Sequence, residues 1–275
     1  ARIRRISAPG CSVWASQGYL SAKNPVDTWV SGTFAIAFWT VNHLWHLGKY
    51  NLGLSSCLGG TGMCISADIV REFGWGCDCL TEDMEFSMKC LSHGIRTCWV
   101  HDAIIYDEKP LTFMASWRQR KRWAQGQFDC SERYIPILMK EGFKRHSIVV
   151  LDGIMQLLQN YFLLISAFYL VMTYINMFYP CFTVVLYNDA LVPRQFWSVL
   201  GTIQYVLPLI VLLQIEVPAK IYLYWLIYPV FMYSWVPVTF LGWIHRHEKQ
   251  WVHTIHTRSM QFQAASLTRK KEIDS

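Results

Sequence analysis

Charged residues are scarce in the second half of the sequence. From Ile148 to Ile244 there are five: Asp152, Asp189, Arg194, Glu216 and Lys220. The uncharged stretches between them are each long enough to cross a bilayer, which takes about 20 apolar residues: Gly153–Asn188, Gln195–Ile215 and Ile221–Ile244. A buried core accounts for one such stretch, but three in succession predict an integral membrane protein, with transmembrane or interfacial helices over residues 148–244.

The sequence also lacks repeated CxxC pairs. It has nine cysteines, an odd number, and this argues against both a disulfide framework and a zinc site. Cys77-Asp78-Cys79 on its own is too little for a metal site. We therefore expect free thiols, which suit the reducing environment of the cytosol.

The chain starts Ala1-Arg2-Ile3, without a methionine or a signal peptide, so we expect a piece of a longer protein. Basic residues flank the apolar half on both sides. The positive-inside rule then places residues 1–147 and the basic tail at 245–275 in the cytosol. Two cytosolic flanks need an even number of crossings. Either Gly153–Asn188 crosses twice, or one apolar segment lies in or dips into the membrane, and Ile148–Gln159 could be such a surface helix.

Helical and strand-like patterns alternate before residue 148, which predicts an α/β domain. Helices are expected at 27–47, 67–73, 80–93 and 111–128, and strands at 63–65 and 95–106. Residues 1–147 are therefore predicted to form a cytosolic α/β domain ahead of the membrane helices.

Two acidic residues, Glu82 and Asp83, stand at the start of a predicted helix, directly after Thr81. Thr81 is a candidate N-cap, and the helix dipole with its unpaired N–H groups stabilises negative charge in the first turn. Two interpretations are open. The acids stabilise the helix by about 0.3–1 kcal/mol, as in many proteins, or they hold a carboxylate at a functional site.

A second motif is Gln119-Arg120-Lys121-Arg122-Trp123, inside a helix with several basic residues. Gln119, Arg122 and Trp123 are spaced i, i+3 and i+4 and therefore share one face. An arginine fork matches a diphosphate, and an indole suits the apolar face of a sugar ring. The alternative is a solvated basic helix that is attracted to anionic lipids.

A third candidate is the loop Gly59-Gly60-Thr61-Gly62. Its glycines allow backbone N–H groups to come close to a ligand. Taken alone, an ordinary turn is the commoner interpretation of such a loop.

Together and in this order, the three motifs resemble those of the membrane-bound, processive-type family 2 glycosyltransferases, which include cellulose, chitin, hyaluronan and poly-N-acetylglucosamine synthases. The resemblance covers roughly residues 17–260 and includes Gln17-Gly18-Tyr19 and Lys23-Asn24-Pro25. It implies the C-terminal, acceptor-side part of a GT-A (Rossmann-like) catalytic domain, followed by an α-helical transmembrane region. It also implies inverting transfer of a sugar from a nucleotide-sugar, a UDP-hexose or UDP-N-acetylhexosamine, to a growing polysaccharide or lipid-linked acceptor.

The resemblance implies residue roles as well. Asp83 is the expected catalytic base, kept ionised by the helix start, and Glu82 is expected to support it. Arg122 would pair with the diphosphate, Trp123 would line the acceptor site and Gln119 would hold these two in place. The full set of expected substrate-binding residues is Gly59, Gly60, Thr61, Gly62, Thr81, Gln119, Arg122 and Trp123.

The sequence departs from the family in one respect, because it has no Asp-x-Asp motif. In the family that motif holds Mg²⁺ or Mn²⁺, so the metal ligands and the nucleotide-binding half are expected upstream. We therefore expect the piece alone to be inactive. Two other interpretations stay open, an inactive family member acting as an assembly subunit and a polytopic transporter. The lack of charge in the apolar stretches disfavours transport, since transport pathways usually carry ionisable residues.

The expected partners are the nucleotide-sugar donor, the glycan or lipid-linked acceptor and membrane lipid, with no nucleic acid. The expected location is the plasma membrane, with the catalytic part in the cytosol. The sugar, the linkage, the number of crossings and the choice between processive and single transfer stay open.

Overall fold

A small sheet lies in the first part of the computed structural model, which describes residues 14–179 and 194–248. Its strands are β1 (Ala15–Ala22), β2 (Met63–Ile65) and β3 (Thr97–Asp107), in the order β2-β1-β3. Strand β1 is antiparallel to β2 and parallel to β3. A small mixed sheet surrounded by helices confirms the predicted α/β class.

Helices make up most of the described residues. They are α1 (Trp29–Thr40), a π-helix (Val41–His46), α2 (Leu47–Asn51), α3 (Ala67–Phe73), α4 (Glu82–Ser92), α5 (Phe113–Lys144), α6 (Ile148–Phe178), α7 (Arg194–Gln214), α8 (Lys220–Tyr233) and α9 (Trp235–Ile244). The predictions at 63–65, 67–73 and 80–93 are confirmed. Helix α5 continues well past residue 128 and ends at Lys144. Pro136 lies inside the helix and does not end it.

The helix predicted at 27–47 differs from the observed structure at both ends. Its N-cap is Thr28, whose side chain accepts a hydrogen bond from the Ser31 N–H while Ser31 Oγ accepts one from the Thr28 N–H, each at 3.1 Å. This reciprocal capping box stabilises the helix start. After Thr40 the chain forms six residues of π-helix before α2.

One hydrophobic core joins the first part of the chain to the apolar C-terminal helices. Its buried members include Tyr19, Phe34, Ile36, Leu212, Tyr224 and Phe231. Gly32 of α1 permits this packing, because a Cβ at that position would overlap the Tyr224 ring. The Tyr224 hydroxyl also donates a hydrogen bond to the Val26 carbonyl at 3.3 Å. The domain boundary at residue 148 stays a prediction, but α1 and α8 are packed together.

Helix α6 has two halves with different surroundings. Its N-terminal half packs on α5, where the Ser131 hydroxyl donates to the Leu157 carbonyl at 3.0 Å. It also pairs with α2 through a buried ion pair, Lys49 Nζ to Asp152 Oδ2 at 2.7 Å. Its C-terminal half exposes large apolar side chains, among them Ile165, Phe168, Val171 and Tyr174.

Two apolar helical segments are long enough to cross a membrane, Ile148–Phe178 and Lys220–Ile244, and Val199–Gln214 is a shorter apolar helix. About 28% of the most apolar 18-residue stretch of each long segment is buried inside the protein, so most of that stretch is not fully buried. Length and composition of this kind give weak support to the membrane prediction.

Cys11 and Cys181 lie outside the described residues, and the other cysteines follow the expectation of free thiols except at Cys98. Cys57, Cys64, Cys77, Cys79, Cys90 and Cys130 are free. Cys98, on β3, is disulfide-bonded, so the expectation is wrong there. A single disulfide leaves no repeated spacing in a sequence, and the cysteine pattern therefore could not reveal it.

The end of β3 is tied to the segment after β1 by the buried side chain of Asn24, which gives the first prediction. Its Nδ2 donates to the Lys109 carbonyl at 2.9 Å, and its Oδ1 accepts from the Lys109 N–H at 2.8 Å. Asn24→Ala leaves both backbone groups buried without these partners. We expect it to lower the free energy of unfolding by about 1–3 kcal/mol, measured by thermal unfolding in detergent. Asn51→Ala, at an exposed position, is the control, and equal melting of the two variants would contradict the prediction.

Candidate active site

The glycine loop is fixed to the sheet by the buried side chain of Gln17, on β1. Gln17 Oε1 accepts a hydrogen bond from the Gly59 N–H at 2.8 Å, and its Nε2 donates to the Thr61 carbonyl at 2.9 Å. Gly60 and Gly62 have φ values of 74° and 63°, a region that favours glycine. The Gly59 N–H is therefore used within the protein, whereas Gly60 is exposed to solvent.

The same loop lies against the start of α4. The Leu58 N–H donates to Ser87 Oγ at 2.9 Å, and the Ser87 hydroxyl donates to the Asp83 carbonyl at 2.8 Å. A Cβ added to Gly60 would stand 3.2 Å from Asp83 Oδ2. The exposed backbone of Gly60 and the carboxylate of Asp83 are therefore immediate neighbours.

Thr81 occupies the N-cap position of α4, but its side chain makes no capping hydrogen bond. Its Oγ1 is buried and has no hydrogen-bond partner among the described residues. The predicted N-cap position is therefore confirmed, without the side-chain hydrogen bond that a cap usually makes. Helix α5 passes close by, where a Cβ at Gly126 would lie 2.6 Å from Thr81 Oγ1. The hydroxyl is thus enclosed between two helices and does not reach the N–H groups of the first turn.

Burial controls the ionisation of Asp83 and raises its pKa from 3.8 to about 6. The Met84 N–H, which donates to Asp83 Oδ1 at 2.7 Å, lowers that pKa, as does the charge of Arg122, while the charge of Glu82 raises it. The helix start therefore favours the ionised form, as expected, but burial opposes it and has the larger effect. The group is still mostly a carboxylate at neutral pH, and a pKa near the working pH suits a general base.

Glu82 and Glu85 have different surroundings. Glu82 is exposed, so its influence on Asp83 is electrostatic. Glu85 is buried, and its Oε2 accepts hydrogen bonds from the N–H groups of Asp78 and Cys79, both at 2.7 Å. Glu85 thereby shapes the loop that leads into α4, a role that the sequence analysis missed. Its spacing of three residues before the apolar Met88 was the available signal, because this places it on the buried face.

Helix α5 brings the second motif to this region. Gln119 Oε1 and Arg122 Nε are buried and have no hydrogen-bond partner among the described residues. Buried polar atoms usually have partners, and those that lack them often belong to functional sites. Arg122 acts on the pKa of Asp83 through its charge, so the guanidinium and the carboxylate lie within electrostatic reach of each other.

Trp123 follows directly and is half-buried. Its ring centroid lies 6.1 Å from that of Phe34 and 6.3 Å from that of Phe38, both on α1. The indole is therefore held by the same core that joins α1 to α8.

Metal binding has no support in residues 14–179 and 194–248, where no three His, Cys, Asp or Glu side chains come together as ligands. Glu82 and Asp83 alone do not supply the oxygen ligands that Mg²⁺ or Mn²⁺ takes. The metal expected from the resemblance stays a prediction.

The close approach of α5 to Thr81 gives the second prediction. Helix propensity alone makes Gly→Ala favourable by about 1 kcal/mol inside a helix. At Gly126, however, the new Cβ would lie 2.6–2.7 Å from Thr81 Oγ1 and Thr81 N, whereas nothing lies within 4 Å at Gly48. We expect Gly126→Ala to lower the free energy of unfolding by about 1–3 kcal/mol and Gly48→Ala to leave it unchanged or raise it. Thermal unfolding of the two variants compares them, and a shift of the same sign in both would refute the proposed contact.

The part of the chain that holds the three motifs matches the model of a known protein family. Residues 16–243 match the family model for glycosyl transferase family group 2. A stretch of 80 residues, 29% of this chain, is 30% identical to the probable glycosyltransferase YdaM of Bacillus subtilis (strain 168). That stretch covers 19% of this curated relative, so the chain spans only a fraction of its length. Because the family match covers most of the chain and all three motifs, the chain belongs to glycosyltransferase family 2.

Proposed function

We propose that the protein is an inverting glycosyltransferase of the membrane-bound, processive type. It moves a sugar from a nucleotide-sugar, a UDP-hexose or UDP-N-acetylhexosamine, to a growing polysaccharide or a lipid-linked acceptor. The observation that carries this proposal is the Asp83 carboxylate, which lies beside Gly60 and within electrostatic reach of Arg122. A proton acceptor and a guanidinium in one place are what sugar transfer from a diphosphate donor needs.

Asp83 acts as the general base in this proposal. The acceptor hydroxyl gives its proton to the carboxylate while its oxygen bonds to the anomeric carbon of the donor sugar. The bond from that carbon to the diphosphate breaks at the same time, and its electron pair leaves with the nucleoside diphosphate. One displacement from the opposite side inverts the anomeric centre and needs a base but no protein nucleophile. The exposed carboxylate of Glu82 supports the base by raising the pKa of Asp83.

Arg122 stabilises the departing diphosphate. Its Nε is buried without a hydrogen-bond partner among the described residues, and a guanidinium fork pairs well with phosphate oxygens. Gln119 lies one helical turn earlier and has an unpartnered Oε1 in the same described part of the chain. It completes the polar face that orients the donor.

Trp123 lines the acceptor site, and the glycine loop contacts the substrate through its exposed backbone at Gly60. An indole held by Phe34 and Phe38 offers a fixed apolar surface, and the C–H face of a sugar ring packs well on such a surface. Thr81 contributes by closing the base of the site between α4 and α5.

The protein is proposed to act at the plasma membrane, with its catalytic part in the cytosol. The support is the pair of apolar segments long enough to cross a bilayer and the large apolar side chains that α6 exposes. Mg²⁺ or Mn²⁺ is proposed as the metal cofactor, with its ligands outside the part of the chain that the structure describes.

The third prediction tests the base. The protein expressed at full length in membranes should release UDP from one member of a panel of UDP-sugars supplied with Mg²⁺ or Mn²⁺. Asp83→Asn should reduce that release by at least about 100-fold, because a general base contributes roughly 10²–10⁴ to the rate. The variant should remain folded, since it removes a buried charge. Release that survives Asp83→Asn refutes the role of Asp83, and no release with any sugar favours an inactive assembly subunit.

The fourth prediction concerns pH. Only the ionised form of Asp83 accepts a proton, and its pKa is about 6. We therefore expect kcat/KM to fall about tenfold per pH unit below 6 and to be level from about pH 7 upward. The free energy of unfolding changes with pH in the opposite direction. Because the pKa of Asp83 is higher in the folded state than in the unfolded state, its contribution to stability falls as the pH rises from about 4 to 6. The variant Asp83→Asn should lack that fall. A kcat/KM that does not change between pH 5 and 7 would contradict the assignment.

A further inference from the structure

Arg120 is a charged residue in the interior, one position after Gln119. Its side chain is the largest that is fully buried in the described part of the chain, with 0% exposure. It makes no salt bridge to a carboxylate among those residues. Three aromatic rings surround the guanidinium instead, with ring centroids 4.6 Å away for Phe231, 5.1 Å for Trp235 and 5.8 Å for Phe113. This buried position corrects the interpretation of the motif as part of a solvated basic helix.

The Arg120 guanidinium forms hydrogen bonds with residues at the junction where α8 ends and α9 begins. Arg120 Nη1 donates to Ser234 Oγ at 2.8 Å and to the Phe231 carbonyl at 3.4 Å. The last carbonyls of a helix lack partners within the helix and carry partial negative charge. A cation at this end is therefore stabilised without a carboxylate. Burial lowers the pKa of Arg120 to about 10, so the group stays protonated at neutral pH.

The next residues of α5 touch α9 and then α4. A Cβ at Gly242 of α9 would lie 2.5 Å from the Ala124 Cβ, and Gln125 Nε2 donates to the His245 carbonyl at 2.9 Å. Gly126 meets Thr81 on the other side. Arg122 and Trp123 lie between Arg120 and these contacts. Together with these contacts, the bonds of Arg120 to the α8–α9 junction set the rotation of α5 about its own axis, and that rotation decides where Arg122 points.

We propose that Arg120 is a positioning residue for sugar transfer, which orients Arg122 and Trp123 by fixing α5 to the junction of α8 and α9 at Ser234. This inference rests on the proposed function and adds a residue to it. It makes the apolar C-terminal helices a structural part of the catalytic machinery.

The test is Arg120→Met in the full-length protein. Methionine suits the aromatic surroundings, and apolar replacement of a buried charge is often tolerated, so we expect normal expression and thermal unfolding. We expect kcat for UDP release to fall about 10- to 100-fold, while the donor KM changes less than about threefold. The reason is that a misplaced Arg122 loses more contact with the growing charge of the leaving diphosphate than with the bound substrate. Arg120→Lys should not restore kcat, because an ammonium cannot bond Ser234 and Phe231 as a fork does.

Two further variants separate positioning from stability. Arg118→Met, at an exposed position of the same helix, should keep the kcat of the parent. Ser234→Ala removes one partner of Arg120 and should lower kcat by a smaller factor, and adding it to Arg120→Met should cause no further loss. This dependence between the two sites would not arise if Arg120 only stabilised the fold.

The outcomes separate the inference from the function on which it rests. Loss of kcat in folded Arg120→Met, with non-additivity toward Ser234→Ala, supports the inference. Full kcat in folded Arg120→Met overturns it, while the proposed function stands if Asp83→Asn is inactive in the same assay. If Arg120→Met does not fold, full kcat in Ser234→Ala overturns the inference equally. A parent protein that releases no UDP overturns both.

Discussion

Close packing of helix α5 against two neighbours is the constraint on which the candidate site depends. Gly126 lets the helix approach Thr81 at the start of α4, and Gly242 of α9 lets the same stretch approach Ala124. Small residues at such contacts allow backbones to come together, and a larger side chain would force one helix away. Because both contacts fall within three residues of α5, the helix has little freedom to shift. Arg122 is therefore held at a defined position within electrostatic reach of the Asp83 carboxylate.

The Asp83 carboxylate is partly buried, but one side of it stays accessible, and both properties affect its chemistry. Burial raises the pKa of Asp83 and makes the carboxylate a stronger base, but it also makes the charged form costly in the folded state. Gly60 keeps one side of the group open, because a side chain at that position would stand against the carboxylate. Ser87 Oγ and the Glu85 carboxylate accept hydrogen bonds from the backbone N–H groups of Leu58 and Asp78, and these bonds hold the adjoining loops in place. Functional sites commonly accept a local cost that the surrounding structure offsets.

Signals local in sequence predicted much of the fold and the three motifs. Helix α4 and the glycine loop were readable because turn residues and apolar periodicity depend on near neighbours. Strand β1 was missed, since it is buried along most of its length and lacks alternation. The burial of Arg120 was missed because charged residues are rarely buried and its partners lie 111 and 114 residues away. Such contacts arise from tertiary packing, which no short window of sequence records. The proposed roles of the site residues come from the family resemblance.

The core shared by α1 and α8 has a consequence for how the protein is made. The hydrogen bond from Tyr224 to Val26 joins residues 198 positions apart, and the apolar helix α1 leaves the ribosome long before α8 is synthesised. Contacts of such long range close slowly, because the entropy of the intervening chain opposes them. Until then α1 needs a temporary apolar environment, either lipid or a chaperone, to avoid aggregation. Completion of this core is thereby tied to the synthesis of the last helices, and a nascent chain interrupted before α8 would leave α1 without its packing partner.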